Sequence, residues 1–293
     1  MNISIVIRTL NESKYLDELI SNIEVQETEG FDIEIILVDS GSTDGTLKIA
    51  KSHNCKIVHI TRKEFSFGLS LNRGCEKANG EILVMISGHC VPVGNNWLQL
   101  LCKPLIENKA VYSYGRQVGG SDSYYSECRI FNKYYPTSNQ IPQEGFYCNN
   151  ANSAIKRIVW EENHFDEELT GLEDMELAKR LVKKGEKIAY CAEATVYHYH
   201  EELWSSIKLR FERESIALQE IMPQVHISKS DLIRYLMSSI WMDLLSARKD
   251  GLLITKAIEI VQYRFYQYWG SYVGNHEHRK LSHTQKEEYF FPK

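Results

Sequence analysis

The chain has 293 residues, of which 43% are hydrophobic, so it is long enough to bury the core of one large domain or of a domain with an appendage. Its formal net charge of −5 gives no support for nucleic-acid binding, and its seven scattered cysteines, with no Cys-x-x-Cys pair, are typical of a reducing compartment. The N-terminus lacks the features of a signal peptide, and no apolar run approaches the roughly 20 residues that span a bilayer. We expect a protein that is cytoplasmic, or peripheral on the inner face of a membrane.

Strand and helix patterns alternate through the first half of the chain. Residues 3–7 and 33–38 are apolar strand patterns, and Asn11 is a candidate N-cap for a helix with its apolar face in 16–23. The further predicted elements are strands at 57–60, 81–86 and 111–114 and helices at 70–79 and 97–108. This alternation predicts a parallel, doubly wound α/β sheet.

Two of these strands end in polar turns. The strand at 33–38 leads into Asp-Ser-Gly-Ser-Thr-Asp-Gly-Thr at 39–46, a turn that is rich in side-chain oxygens. The strand at 81–86 ends on Ser87-Gly88-His89, which places that triplet at the carboxyl edge of the sheet, where such folds bind ligands. A Gly-x-Gly-x-x-Gly or Walker motif is absent from the sequence, which disfavours a dinucleotide or P-loop site.

The second half begins with an irregular stretch, 119–147, that has no period and is typical of a functional or mobile loop. A helix at 172–184 and two short strands at 188–191 and 195–197 follow. The rest reads as helices at 203–221, 229–248 and 251–268. We therefore predict one domain over 1–200 and a helical C-terminal extension over 201–293.

Three ordered segments resemble glycosyltransferase family 2, whose members have the GT-A fold. They are ILVDSGSTDGT at 36–46, FGLSLNRGCEKANGEILVMISGHCVP at 67–92 and LTGLEDMELAKRL at 169–181. The resemblance implies a mostly parallel GT-A sheet with a helical C-terminal extension. FSFGLSLNRG, SGHCVP, VYHYH and YRFYQYWGSYVG are most similar to the bacterial rhamnosyltransferase branch.

The resemblance also implies site residues. Asp174, with Glu173 as its neighbour, corresponds to the general base of inverting members, and Asp39 to the carboxylate that accepts the N–H of a pyrimidine base. The alternatives are a turn aspartate that bonds its own backbone and two acids that a helix N-terminus stabilises. The predicted nucleotide-binding residues are Thr9, Asn11, Glu12, Asp39, Ser40, Ser42, Asp44, Phe67, Asn72, Ser87 and Gly88.

The metal site is where the sequence departs from the family. Members normally carry an Asp-x-Asp-like triplet, whereas here Ser87 and His89 stand at its acidic positions. We predict His89, His198 and His200 as metal ligands, although each also has a structural alternative, and a His-x-His pair on a strand points its rings to opposite faces. Imidazole binds Mn, whereas Mg prefers oxygen, so the sequence favours Mn over Mg, or a site that needs no metal.

Together these features predict inverting transfer of a sugar from a nucleoside-diphosphate sugar to a hydroxyl of a glycan or lipid-linked glycan, in surface polysaccharide synthesis. dTDP-rhamnose is the first expectation for the donor and a UDP-sugar the second, and the C-terminal helices are candidates for a peripheral membrane contact or a homo-oligomer. Two alternatives stay open. One is a non-catalytic nucleotide-sugar binding protein, and the other is a metal-dependent hydrolase that uses His89, His198 and His200.

Overall fold

The computed structural model describes residues 1–28, 30–200, 202–276 and 290, which fold as two compact units. The first unit comprises Met1–Val118, Tyr135–Leu169 and Glu173–Tyr199. The second comprises Gly119–Tyr134, Thr170–Leu172 and the described residues of His200–Lys293. The division at residue 200 stays a prediction, and most of the predicted extension beyond 276 lies outside the described residues.

The first unit is built on an eight-stranded sheet. Its strands are β1 (Asn2–Thr9), β2 (Asp32–Asp39), β3 (Lys56–His59), β4 (Ile82–Ser87), β5 (Cys90–Pro92), β6 (Tyr112–Gly119), β7 (Asn152–Lys156) and β8 (Ile188–His198). Their order is β3-β2-β1-β4-β7-β6-β8-β5. The neighbouring pairs β3–β2, β2–β1 and β1–β4 are parallel, and β7 pairs antiparallel with β4 and β6. The α/β fold class is confirmed, and the antiparallel half is a feature that the strand patterns did not indicate.

Helices of the first unit complete the core of this sheet. They are α1 (Leu16–Glu24), α2 (Thr46–Ser52), α3 (Phe67–Lys77), α4 (Trp97–Ile106), α6 (Arg157–Glu162) and α7 (Glu173–Lys183), whereas α5 (Tyr125–Tyr134) belongs to the second unit. In α1 the four buried residues Leu16, Leu19, Ile20 and Ile23 recur at helical spacing, which leaves one apolar face to pack on the sheet. Strand β4 is buried at every position, as expected for a strand that is covered on both faces.

Strand register brings distant parts of the chain to one edge of the sheet. Thr9 at the end of β1 lies opposite Asp39 at the end of β2, and Arg8 lies opposite Ser87 at the end of β4. Because β7 runs antiparallel to β4, its first residue, Asn152, lies beside the end of β4, opposite Ile86. The carboxyl ends of three strands and the start of a fourth therefore meet at this edge.

Three sequence predictions about local structure are wrong. Asn11 is not an N-cap: α1 begins at Leu16, and Asn11 has a φ of 59°, in the left-handed region that Asn tolerates. The irregular stretch at 119–147 contains a regular helix, α5, whose polar and aromatic composition hid its period. The two strands predicted between 188 and 197 are one continuous strand, β8.

The second unit is dominated by α8 (Trp204–Ile221), α9 (Lys229–Lys249) and α10 (Leu253–Asn275), close to the predicted helices. Gly270 and Gly274 bring α10 against the backbone of α8, since a Cβ at Gly274 would lie 2.1 Å from the Glu212 carbonyl oxygen. A buried ion pair of 2.8 Å between Arg264 and Asp243 joins α10 to α9. Within the described residues, no helix combines the length and the apolar character needed to cross a membrane.

Candidate active site

The turn after β2 is organised by Asp39. Its carboxylate, which is 1% exposed, accepts hydrogen bonds from the backbone N–H groups of Gly41 at 3.0 Å and Ser42 at 3.2 Å. The His59 Nδ1 atom lies 3.7 Å from Asp39 Oδ2. These bonds match the structural alternative for Asp39. Since each carboxylate oxygen has two lone pairs, they leave acceptor capacity for a further N–H donor.

The segment after β1 is clamped onto this turn. The backbone N–H of Asn11 donates to Ser42 Oγ at 2.9 Å, that of Glu12 to Thr46 Oγ1 at 2.8 Å, and that of Ser13 to Asp44 Oδ2 at 3.1 Å. Burial alone would raise the pKa of Asp44, but hydrogen bonds from Thr46 and Ser13 lower it to about 2. Asp44 is therefore ionised at any physiological pH and holds Ser13 and Thr46 together through its hydrogen bonds.

Close backbone approach completes the edge around Thr9 and Gly88. The Thr9 carbonyl oxygen accepts the backbone N–H of Ser40 at 3.2 Å, and the Gly88 N–H donates to the Arg8 carbonyl oxygen at 3.2 Å. A Cβ at Gly88 would lie 2.8 Å from Glu12 Cγ, so this position admits only glycine without a shift of the glutamate. Ser87, at the end of β4, is 8% exposed.

Asn72 has its amide fully engaged by the protein. Its Nδ2 donates to the Phe165 carbonyl oxygen at 2.9 Å and to Glu167 Oε1 at 2.8 Å, while its Oδ1 accepts from Trp160 Nε1 and the Phe165 N–H, both at 3.1 Å. An amide has two donor hydrogens and two acceptor lone pairs, and all four are used here. The hydrogen bonds of Asn72 thus hold the segment 160–167 against α3.

Glu173 and Asp174 form a buried carboxylate pair at the start of α7, with exposures of 3% and 6%. Asp174 Oδ2 accepts the backbone N–H of Asn150 at 2.8 Å, and its Oδ1 accepts the N–H of Met175 at 2.7 Å. Burial and the adjacent charge of Glu173 nevertheless raise the pKa of Asp174 to about 8. This carboxyl group is thereby poised to bind and release a proton near neutral pH.

Arg8 is a site residue that the sequence analysis missed. Its guanidinium stacks on the Phe67 ring, with Cζ 4.8 Å from the ring centroid, and its Nη1 lies 3.6 Å from Glu173 Oε1. Among the described residues this buried Nη1 finds no hydrogen-bond partner. The charge of Arg8 also opposes the upward shift of the Asp174 pKa. The available signal was an arginine at the end of an otherwise apolar strand.

His89 and His198 meet through their ring nitrogens. The two Nε2 atoms are 3.1 Å apart and the ring centroids 5.0 Å apart. The Nδ1 atom of His89 lies 2.8 Å from Glu12 Oε1, and that of His198 lies 2.7 Å from Gln117 Oε1. Each ring thus turns its Nδ1 toward an acceptor and its Nε2 toward the other ring.

The network around Gln117 determines which nitrogen of His198 carries its proton. Gln117 Nε2 donates to Asn149 Oδ1 at 2.9 Å, and the same oxygen accepts the backbone N–H of Ala151 at 3.0 Å. The oxygen of Gln117 therefore faces His198, so the His198 Nδ1 atom is the donor and its Nε2 lone pair points at His89. Carboxylate or amide acceptors behind both rings are the usual support of metal-binding histidines, so this pair fits a divalent cation.

His200 lies in the second unit, where it belongs to a buried ionic group. Its Nδ1 atom is 2.8 Å from Glu127 Oε1, and Arg210 Nη2 lies 2.9 Å from the same oxygen and 2.7 Å from Glu202 Oε2. Burial alone would raise the pKa of Glu127, but His200 and Arg210 lower it. Within this unit His200 serves as a partner of Glu127.

Residues 4–162, more than half of the chain, match the family described as Glycosyl transferase family 2. The chain belongs to this family. The predicted family is confirmed. Among its relatives, the O-antigen chain rhamnosyltransferase WbaN of Salmonella anatum is 30% identical over 178 residues, which cover 57% of this chain and 56% of WbaN. The match therefore spans little more than half of that relative's length.

Solved structures of two glycosyltransferases have the same fold as this chain. The mannosyltransferase PcManGT from Pyrobaculum calidifontis, in complex with GDP-Man and Mn²⁺, has a TM-score of 0.62 at 16% identity over 99% of this chain and 87% of its own. Staphylococcus aureus TarS 1-349, in complex with UDP-GlcNAc, has a TM-score of 0.53 at 14% identity over 99% of this chain and 92% of its own. At such identities the likeness establishes the GT-A fold alone.

Proposed function

We propose that this glycosyltransferase transfers a sugar with inversion from a nucleoside-diphosphate sugar to a hydroxyl group of a glycan or lipid-linked glycan, with Asp174 as the general base. The observation that carries the proposal is the buried Glu173–Asp174 pair, in which the pKa of Asp174 is raised to about 8. A base works best when its pKa lies near the working pH, because it must accept a proton only as the new bond forms.

In the proposed step, Asp174 takes the proton of the acceptor hydroxyl while the oxygen of that hydroxyl bonds to the anomeric carbon. The bond from that carbon to the diphosphate breaks on the opposite side, and the electron pair leaves with the diphosphate. The backbone N–H of Asn150 orients Asp174 for this task. Arg8 holds positive charge beside the two carboxylates, which favours the ionised form of the base.

The turn at 39–46 and the segment at 11–13 are the proposed nucleotide pocket, with Asp39 receiving the N–H of a pyrimidine base. The hydrogen bonds that clamp these two segments support it, because they hold the pocket rigid before the donor arrives. The likeness to WbaN supports dTDP-rhamnose as the first donor to test. The UDP-GlcNAc complex of TarS supports a UDP-sugar as the second.

We assign the divalent cation to His89 and His198, which both lie in the first unit. The facing Nε2 atoms and the acceptors behind both rings support this assignment, as does Mn²⁺ in the complex of PcManGT. A cation there would balance the charge of the leaving diphosphate. Imidazole nitrogens favour Mn over Mg.

Release of nucleoside diphosphate from a panel of dTDP-, UDP- and GDP-sugars, with and without glycan acceptors, tests the proposal. We expect acceptor-dependent release of dTDP or UDP that Asp174→Asn lowers by roughly a hundredfold or more, the usual contribution of a general base. The control Glu176→Gln alters an acid on the same helix that pairs with Arg180, so it should leave turnover intact.

Binding of nucleotide without any release would instead favour the non-catalytic binding protein. A protein that binds none of these nucleotides would favour the metal-dependent hydrolase. The cytoplasmic location of the protein, peripheral on the inner membrane face, remains part of this proposal.

A further inference from the structure

Helices α9 and α10 form an antiparallel hairpin, with apolar side chains exposed along both helices. Tyr235 stacks with Tyr268, and Asp243 pairs with Arg264, so the start of α9 lies beside the end of α10. Besides Tyr235 and Met242 of α9, which are also exposed, apolar side chains recur at a spacing of three or four residues: Ile233, Met237, Trp241 and Leu245 on α9, and Ile254, Ile258, Val261, Phe265 and Trp269 on α10. We call these nine residues the hairpin stripes.

The spacing of the stripes shows that each follows one face of its helix. Those on α9 recur every four residues, and those on α10 recur every three or four. Their exposed fractions run from 41% for Leu245 and Trp269 to 96% for Ile254. Runs of large apolar side chains on a surface mark a place where another surface docks.

The hairpin does not need these residues for its own packing. Helix α10 buries a different set, including Ile260, Tyr263, Gly270 and Gly274, and the two glycines lie against the backbone of α8. Helix α9 buries Asp243 and Ala247. The stripes are therefore additional to the core of the second unit.

The exposed charges around the stripes are mostly basic. Lys229, Arg234, Arg248 and Lys249 are exposed, whereas the exposed acid of residues 229–275 is Asp250, in the turn between the two helices. Residues 229–275 contain six Lys or Arg against four Asp or Glu, in a chain whose net charge is −5. Asp231, Asp243 and Glu259 are each paired with a basic residue of the same hairpin.

We propose that the hairpin stripes rest on an anionic lipid bilayer, with the apolar side chains in the interface and the basic residues on lipid phosphates. Trp241, Phe265 and Trp269 are the kind of side chain that settles at the boundary of headgroups and acyl chains. Arg248 and Lys249 lie at the tip of the hairpin, beside Leu252 and the almost fully exposed Ile254, so attraction and insertion act at the same place. A second copy of the chain fits less well, because a self-complementary contact would bring the basic residues of two hairpins together.

Vesicle flotation of the full chain tests this proposal. We expect the protein to float with vesicles of phosphatidylcholine and phosphatidylglycerol in equal parts, to stay behind with phosphatidylcholine alone, and to bind less as salt increases. The triple variant Ile254→Ser/Ile258→Ser/Phe265→Ser should weaken binding at least tenfold. Its matched control is Val25→Ser/Ile158→Ser in the first unit, at positions that are 67% and 65% exposed, and this variant should bind like the wild type.

A pair of charge reversals separates insertion from electrostatic attraction. Arg248→Glu/Lys249→Glu should weaken binding to anionic vesicles, whereas Lys51→Glu/Lys77→Glu, which reverses two exposed charges of the first unit, should not. All substituted side chains are exposed, so melting temperatures should match the wild type. The proposal is overturned if the wild type does not float, or if the hairpin variants float as well as their controls. A dimer that the triple variant dissociates, in a chain that ignores vesicles, would assign the stripes to a second copy.

Discussion

At the scale of single residues, the electrostatics of Asp174 determine how the proposed activity should depend on pH. Its pKa is raised because burial disfavours the charge and because Glu173 adds a like charge beside it. Hydrogen bonds from Asn150 and Met175 and the charge of Arg8 oppose the shift without cancelling it. Asp174 is therefore mainly protonated at neutral pH in the free protein, although it must be ionised to act as a base.

The first prediction is that kcat/KM rises with pH up to about 8 and then levels off, because only the ionised Asp174 can accept a proton. The same shift predicts that the free energy of unfolding falls as the pH rises from about 4 to about 8, where the native state keeps a proton that the unfolded state has lost. Chemical denaturation across this range should show a smaller slope in Asp174→Asn than in the wild type. A rate that is flat between pH 6 and 9 would contradict the assignment of the base.

The second prediction concerns Arg8. Replacing Arg8 with Gln removes the positive charge beside the carboxylates, so the rise in kcat/KM should move to higher pH and the rate at pH 7 should fall. Arg8→Lys keeps the charge and should keep the midpoint near that of the wild type. If Arg8 served only to pack against Phe67, both variants would lower the melting temperature and leave the pH profile in place.

At the scale of elements, the ends of strands bring the remaining site together. His89 follows β4 and His198 ends β8, strands that are not neighbours in the sheet, and Glu12 and Gln117 lie behind the two rings. The pairing of the short strand β5 with β8, in which Cys90 lies opposite His198, holds the two histidines at this separation. The two proposed cation ligands lie 109 residues apart in sequence, and strand order brings them together.

The third prediction is that activity depends on Mn more than on Mg and is mostly lost in His89→Ala, since imidazole nitrogens replace the usual carboxylate oxygens. His53→Ala is the matched control, because that histidine pairs with Glu24 and Asp17. A wild-type rate that EDTA leaves unchanged would mean that protein cations balance the diphosphate.

At the scale of the whole molecule, ligand binding should be visible as stability. A nucleoside diphosphate that binds only the folded chain adds about 2.7 kcal/mol to the free energy of unfolding when its free concentration is 100 times its Kd. The turn at 39–46 and the segment at 11–13 contribute to the first unit, so a ligand held there should stabilise that unit.

The fourth prediction is that dTDP or UDP raises the melting temperature and that Asp39→Ala abolishes this rise. The variant also loses its hydrogen bonds to Gly41 and Ser42, so its melting temperature without ligand should fall. The shift on adding nucleotide is therefore the informative measurement. Asp32→Ala, at the exposed start of the same strand, should keep the full shift. If dTDP or UDP raised the melting temperature of Asp39→Ala as much as that of the wild type, the pyrimidine base would have to bind elsewhere.

The sequence by itself determined what depends on local patterns. Buried strands such as β4 are continuous apolar runs in the sequence. The turn after β2 consists of consecutive polar residues and glycines, and Glu173 and Asp174 are neighbours at the start of a helix. It could not show that all of the Asn72 amide is used within the fold, nor that 119–147 contains a helix. Those outcomes depend on partners that are far away in the chain.

Only the tertiary structure decided which side chains meet. The approach of Arg8 to Glu173 and of His89 to His198 follows from the order and register of strands, which no local pattern encodes. The pKa of Asp174 is likewise a tertiary property, because desolvation arises from everything that packs around the carboxyl group. The hairpin stripes show the same division: their apolar residues are in the sequence, but only the packing of α8, α9 and α10 shows which of them stay exposed.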